Sequence, residues 1–195
     1  MYIFTVIPLS KCQNALDIVF LLDGSQSVKE SNFKLVKNYT VDLISKFEIN
    51  PYNTRIGIVE FSTIVNPKIE LGQYDNFQNL SEAIEKIQMS NFGTSTHKAI
   101  VYMRNMFKQS QRSSAIKVVV CITDGLSVSP NFTQVEAKRA HNENIVMFAL
   151  GIGPNVFKTE LRFIASKEEY VKEVSDYSAL PTNLAMEICN RKFYF

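Results

Sequence analysis

The sequence predicts an α/β fold: a doubly wound, mostly parallel six-stranded sheet with one antiparallel edge strand and helices on both faces, a Rossmann-like arrangement. Three observations carry this. Apolar runs of strand length alternate along the chain with segments of helical periodicity. Two runs, Leu16–Leu22 and Ile116–Thr123, are nearly continuous and stop at Asp-Gly, as strands buried on both faces do. Only Ser62-Thr63 separates the runs Arg55–Phe61 and Ile64–Leu71, which makes them an antiparallel hairpin, and Pro67 confines the later run to an edge.

The remaining elements follow in order. Between Val28 and Ile49, Phe33, Val36, Tyr39, Thr40, Leu43, Ile44 and Phe47 recur at intervals of three and four and mark one face of a helix, which Asn50-Pro51 ends. Further helices are expected around Leu80–Ile87, Thr96–Phe107, Thr133–Asn142, Lys158–Ala165 and Ala179–Cys189, and strands at Ile145–Ile152 and Tyr170–Val174. Right-handed crossovers leave few ways to arrange these elements. In such sheets ligands bind beyond the C-terminal strand ends, where the strand order reverses, so the loops opening at Asp23 and Asp124 are the place to look.

Composition narrows the function classes. The chain of 195 residues suits one domain, with 46% hydrophobic residues for its core. A net charge of +2 with both signs mixed, and basic runs no longer than pairs such as Lys138-Arg139, exclude an electrostatic nucleic-acid binder. No apolar stretch approaches the ~20 residues that a membrane span needs. Residues 1–11 are expected to be a leader or truncated signal segment, 12–189 the domain, and 190–195 a tail. Cys12, Cys121 and Cys189 are either all reduced thiols or a Cys12–Cys189 pair with Cys121 a buried hydrophobe. The usual closeness of a domain's ends favours the pair. Sequons open at Asn38, Asn79 and Asn131, acceptors for N-glycosylation in a secreted chain.

Chemistry gathers in three loops. Asp23-Gly24-Ser25-Gln26-Ser27 offers a carboxylate and two hydroxyls at alternate positions; Asp124-Gly125 adds a second carboxylate; Gly93-Thr94-Ser95-Thr96 adds hydroxyls at a helix start. Oxygens from Asp23, Ser25, Ser27, Asp124 and the hydroxyl-rich Gly93–Thr96 turn, converging on one rim, suit a hard divalent cation, Mg²⁺ or Mn²⁺. Glycines beside both aspartates are expected to let the backbone turn sharply. Taken singly, Asp-Gly is ordinary turn chemistry and Thr94 an ordinary helix N-cap. Gly151-Ile-Gly153 lacks the third glycine of a dinucleotide fingerprint. The histidines are His97, expected to be a solvated surface residue, and His141, and no Gly-x-Ser-x-Gly elbow accompanies any serine. The chain is not expected to be an enzyme.

Asp17-Ile-Val-Phe-Leu-Leu-Asp-Gly-Ser-Gln-Ser27, Gly93-Thr-Ser-Thr96 with Ala99-Ile100, and Val120-Cys-Ile-Thr-Asp-Gly125 resemble the three site loops of a von Willebrand factor A domain. Asn53-Thr-Arg-Ile-Gly-Ile-Val-Glu-Phe-Ser62 and the flanking cysteines resemble the A domains of matrilins and collagen VI, and integrin I domains are a more distant likeness. The resemblance spans residues 12–189. It implies a metal-ion-dependent adhesion site at Asp23, Ser25, Ser27, Thr94 and Asp124, through which a secreted module engages an acidic residue of a matrix or cell-surface protein, collagen among the candidates. A structural matrix component that self-associates with the metal site idle is the alternative. Leu126-Ser127-Val128-Ser129 departs from the family, where many relatives carry charged residues.

Overall fold

A computed structural model describes residues 11–110 and 112–190. The expected leader 1–11 therefore falls almost wholly outside the described residues, as does the tail beyond Asn190. Strands β1 (Leu16–Asp23), β2 (Thr54–Phe61), β3 (Val65–Ile69), β4 (Ile116–Thr123), β5 (Ile145–Ile152) and β6 (Val171–Val174) form one sheet in the order β3-β2-β1-β4-β5-β6. Every pairing is parallel except β2 with β3, which is antiparallel and sits at the edge. The strand order reverses between β1 and β4, the central pair. All eight residues of β1 and of β5 are buried, which is why their sequences are apolar throughout rather than alternating.

Helices α1 (Glu30–Ile44), α2 (Phe77–Glu85), α3 (Thr96–Ser110), α4 (Pro130–Asn142), α5 (Lys158–Ile164) and α6 (Leu184–Asn190) flank the sheet. α1 contacts α2 and α6, whereas α3, α4 and α5 contact one another in succession. None of the described helices is long and apolar enough to cross a membrane.

Two helices are shorter than their periodicity predicts. α1 stops at Ile44 rather than Ile49, because the next backbone amides tighten into a turn (Lys46 N–H to Leu43 O, Phe47 N–H to Ile44 O). That turn delivers Phe47 to a bridge with Cys12, and Phe47 stays fully buried there. α6 begins at Leu184 rather than Ala179: Pro181 has no N–H to donate and biases Leu180 away from helical geometry.

The Cys12–Cys189 disulfide is formed, with Cα atoms 5.9 Å apart, and Cys121 is a buried free thiol. At the same pole Asp17, fully buried, is held by Arg55 at 2.6 Å and Arg112 at 3.3 Å. The three sequon asparagines are exposed on α1, α2 and α4.

Candidate functional site

The β1–β4 register sets Leu22 beside Ile122, so Asp23 emerges next to Thr123 at the strand ends. The Thr123 hydroxyl donates to Asp23 Oδ2 at 2.6 Å, and the Ser25 N–H donates to Asp23 Oδ1 at 2.9 Å. The Ser25 and Ser27 hydroxyl oxygens lie 3.0 Å apart, and Ser27 Oγ donates to Asp124 Oδ1 at 2.7 Å. Asp23, Ser25, Ser27 and Asp124 thus form one hydrogen-bonded string across the gap where the strand order reverses. Asp124 Oδ2 accepts a further hydrogen bond from Tyr177 Oη at 3.1 Å.

Asp23 is 2% exposed, and among the described residues neither it nor Asp124 has an ion-pair partner. Burial pushes the Asp23 carboxyl up to about 6; hydrogen bonds from Thr123 and Ser25 oppose this, and the Asp124 charge adds to it. Two neighbouring carboxyls amid hydroxyls, with no ion pair to a basic side chain among the described residues, form a donor set that fits a hard divalent cation. The described residues hold no cluster of three His, Cys, Asp or Glu, so such an ion would take much of its shell from hydroxyls.

Thr94 reaches the same rim through its backbone. Its carbonyl accepts the Val128 N–H at 2.8 Å, and its loop is tied to the first by Gln26 N–H to Phe92 O and Asn91 N–H to Gly24 O. The Thr94 hydroxyl makes no hydrogen bond among the described residues. It lies two residues before α3, so it is not that helix's N-cap.

A buried acid organises this loop. Glu60, fully buried at the end of β2, accepts from Ser90 N–H at 2.9 Å, Ser90 Oγ at 2.8 Å and Asn66 Nδ2 at 3.1 Å. Neither Gly24 nor Gly125 adopts a positive φ, so neither is required for left-handed geometry, although the chain does bend at Asp124-Gly125. Gly24 is needed for space, because the Glu60 carboxyl group fills the volume beside it; a Cβ on Gly125 would meet nothing within 4 Å.

The loop after Asp124 alternates inward and outward. Ser127, 3% exposed, gives its N–H to Glu160 Oε2 at 2.9 Å and its hydroxyl to Glu160 Oε1. Leu126 and Val128 on either side project outward at 49% and 63% exposure, with Phe92 and Phe132 also exposed nearby. His97 is half-buried rather than fully solvated: its ring centroid lies 5.8 Å from that of Phe132, and its Nδ1 is buried without a hydrogen-bond partner among the described residues. Thr123, Tyr177, Glu60, Ser90 and Glu160 were not legible as site residues. Glu60 alone left a trace, as an acid inside an otherwise apolar strand run.

The chain matches a family profile described as the von Willebrand factor type A domain over residues 17–185. It is 37% identical over 175 residues to the collagen alpha-1(XXI) chain of Xenopus laevis, covering 88% of this chain and 18% of that one. It is 33% identical over 184 residues to matrilin-1 of Gallus gallus, covering 90% of this chain and 37% of that protein. The chain therefore spans well under half of either relative. Proximal thread matrix protein 1 from the mussel byssus, solved with a zinc-occupied MIDAS motif, superposes with a TM-score of 0.83 and 28% identity, over 93% of this chain and 46% of that one.

Proposed function

The chain belongs to the von Willebrand factor type A family, and on that premise we propose that it is an extracellular binding module that engages an acidic residue of a partner protein through a divalent cation, Mg²⁺ or Mn²⁺, held at Asp23, Ser25, Ser27, Thr94 and Asp124. The observation that carries this reading is the hydrogen-bonded string from Asp23 to Asp124, two carboxyls with no ion-pair partner among the described residues, at the reversal of strand order. A bound divalent cation supplies a positive centre at which a partner's carboxylate can take the place of water.

The chain's own groups have separate tasks. Asp23 and Asp124 would balance the ion's two charges, and Ser25, Ser27 and Thr94 would add neutral oxygen lone pairs, so no third carboxylate of the set competes for the coordination position that a partner's would take. Thr123 holds Asp23 in place by its 2.6 Å hydrogen bond. Phe92, Leu126, Val128 and Phe132, exposed around these loops, supply apolar area for the partner around the acidic contact. The zinc-occupied motif of the mussel protein, whose fold this chain shares, supports a divalent ion here. Its matrix relatives and its disulfide support secretion and a matrix or cell-surface partner, collagen among the candidates. The proposed role is binding, not turnover.

The test is retention of extracellular-matrix proteins on immobilised domain in Mg²⁺ and in EDTA, with Asp23→Asn as the control. Retention lost equally in EDTA and in the variant supports the reading. Equal retention in all three, or self-association that ignores Mg²⁺, favours a structural component with an idle site.

A further inference from the structure

Each of the two aspartates has one carboxyl oxygen held from outside the string of candidate ligands. For Asp23 the holder is Thr123, its neighbour across the β1–β4 pair, on Oδ2 at 2.6 Å. For Asp124 it is Tyr177, whose hydroxyl donates to Oδ2 at 3.1 Å from the segment between β6 and α6, 53 residues further along the chain. In both cases the other oxygen, Oδ1, faces the serine loop: it accepts from Ser25 N–H in Asp23 and from Ser27 Oγ in Asp124.

Taking the cation reading as its basis, we propose that Tyr177 is a positioning residue of the metal centre: its hydroxyl fixes the rotation of the Asp124 carboxyl so that Oδ1 is presented to the ion. Asp124 needs such a holder more than Asp23 does. Asp23 is buried as the last residue of the central strand β1, whereas Asp124 is the first residue beyond β4, half-buried and bordering an open cleft of about 240 Å³ that Tyr177 also lines. An unheld carboxyl there would swing between the ion and the cleft. Outer-shell hydrogen bonds of this kind orient a ligating carboxylate, and their loss commonly weakens metal affinity about 10–100-fold. Tyr177 is itself fixed. Its ring packs on the core, and its segment is anchored by the Tyr39 hydroxyl, which donates to Pro181 O at 3.0 Å.

Tyr39 provides the control. Tyr177→Phe keeps the ring and removes only the hydroxyl on Asp124; Tyr39→Phe removes a hydroxyl that steadies the same segment without touching the site. Calorimetric titration with Mg²⁺ and Mn²⁺ is run on the wild type and both variants, with melting temperatures in EDTA. The expected result is about tenfold weaker uptake in Tyr177→Phe, unchanged affinity in Tyr39→Phe, and an EDTA melting temperature in Tyr177→Phe no lower than in Tyr39→Phe. Wild-type affinity in Tyr177→Phe overturns the positioning role, as does an equal loss in Tyr39→Phe, which would trace the effect to the segment's rigidity. A wild-type protein that takes up neither ion overturns the cation reading itself, and this inference with it.

Discussion

The Glu60 carboxyl group occupies the volume that a side chain at position 24 would need: a Cβ built on Gly24 would lie 1.9 Å from Glu60 Oε1 and 2.8 Å from its Cδ. Glu60 cannot simply retreat, because Ser90 and Asn66 hold it. Gly24→Ala is therefore expected to destabilise by about 1–3 kcal/mol, as over-packing in a buried site does, and to loosen the loop that carries Phe92 and Thr94. Thermal unfolding measures the loss. Trimming the obstacle in a Gly24→Ala, Glu60→Ala double variant should give less than the sum of the two single losses; strict additivity would mean that the contact is not the cause.

Thr94 offers a cleaner separation of stability from binding. Its hydroxyl forms no hydrogen bond among the described residues and caps no helix. Thr94→Ala should thus cost less than the ~0.5–2 kcal/mol of a lost N-cap, while Mg²⁺ uptake weakens. A lowered melting point with wild-type Mg²⁺ affinity on the same sample would remove Thr94 from the ligand set.

The ion-free protein should carry the pH signature of Asp23. Its carboxyl, raised from 3.8 to about 6, binds a proton more tightly folded than unfolded. The stability this contributes is fully present below the ordinary carboxyl value and is lost as pH rises through about 6. In EDTA, the stability of wild type relative to Asp23→Asn should therefore fall between about pH 4 and pH 6 and level off above. Mg²⁺ affinity should change in the opposite sense, weakening as the proton competes at lower pH. Denaturant midpoints across this range decide the matter, and a relative stability that climbs with pH would contradict it.

The Cys12–Cys189 bridge closes a sequence separation of 177. In the chain-entropy model a loop of that length stabilises by about 5 kcal/mol, though measured gains often fall short. Cys12→Ser and Cys189→Ser should each lower the melting temperature to the same extent, and the double variant no further. Mass mapping of the native protein should find Cys121 alkylated only after unfolding, since it is fully buried.

Local sequence held what local physics determines. β1 and β4 were legible to within a residue because burial on both faces writes an unbroken apolar run, and the hairpin followed from its short connection. The loop carboxyls and hydroxyls were legible because Asp23, Ser25 and Ser27 lie together in sequence, and Asp124 directly follows the strand that pairs with β1. The early end of α1 was not, since it depends on Cys12 arriving from the far side of β1 to pair with Phe47. Tyr177 left no trace either: an aromatic residue between polar neighbours reads the same whether its hydroxyl meets water or, as here, a carboxyl brought from β4.

The disulfide also decides how the molecule bears mechanical load. Cys12 precedes the first strand and Cys189 lies in the last helix, with Cα atoms 5.9 Å apart at the pole opposite Asp23. Tension applied to the two ends passes from one sulfur to the other and bypasses the sheet. A pull on Cys12 and Cys189 meets a short covalent link in the oxidised chain before it reaches the hydrogen bonds of the sheet. The rim, some 25 Å away along an eight-residue strand, lies off that path. Reduction would turn the same domain from a rigid bead into an extensible spring.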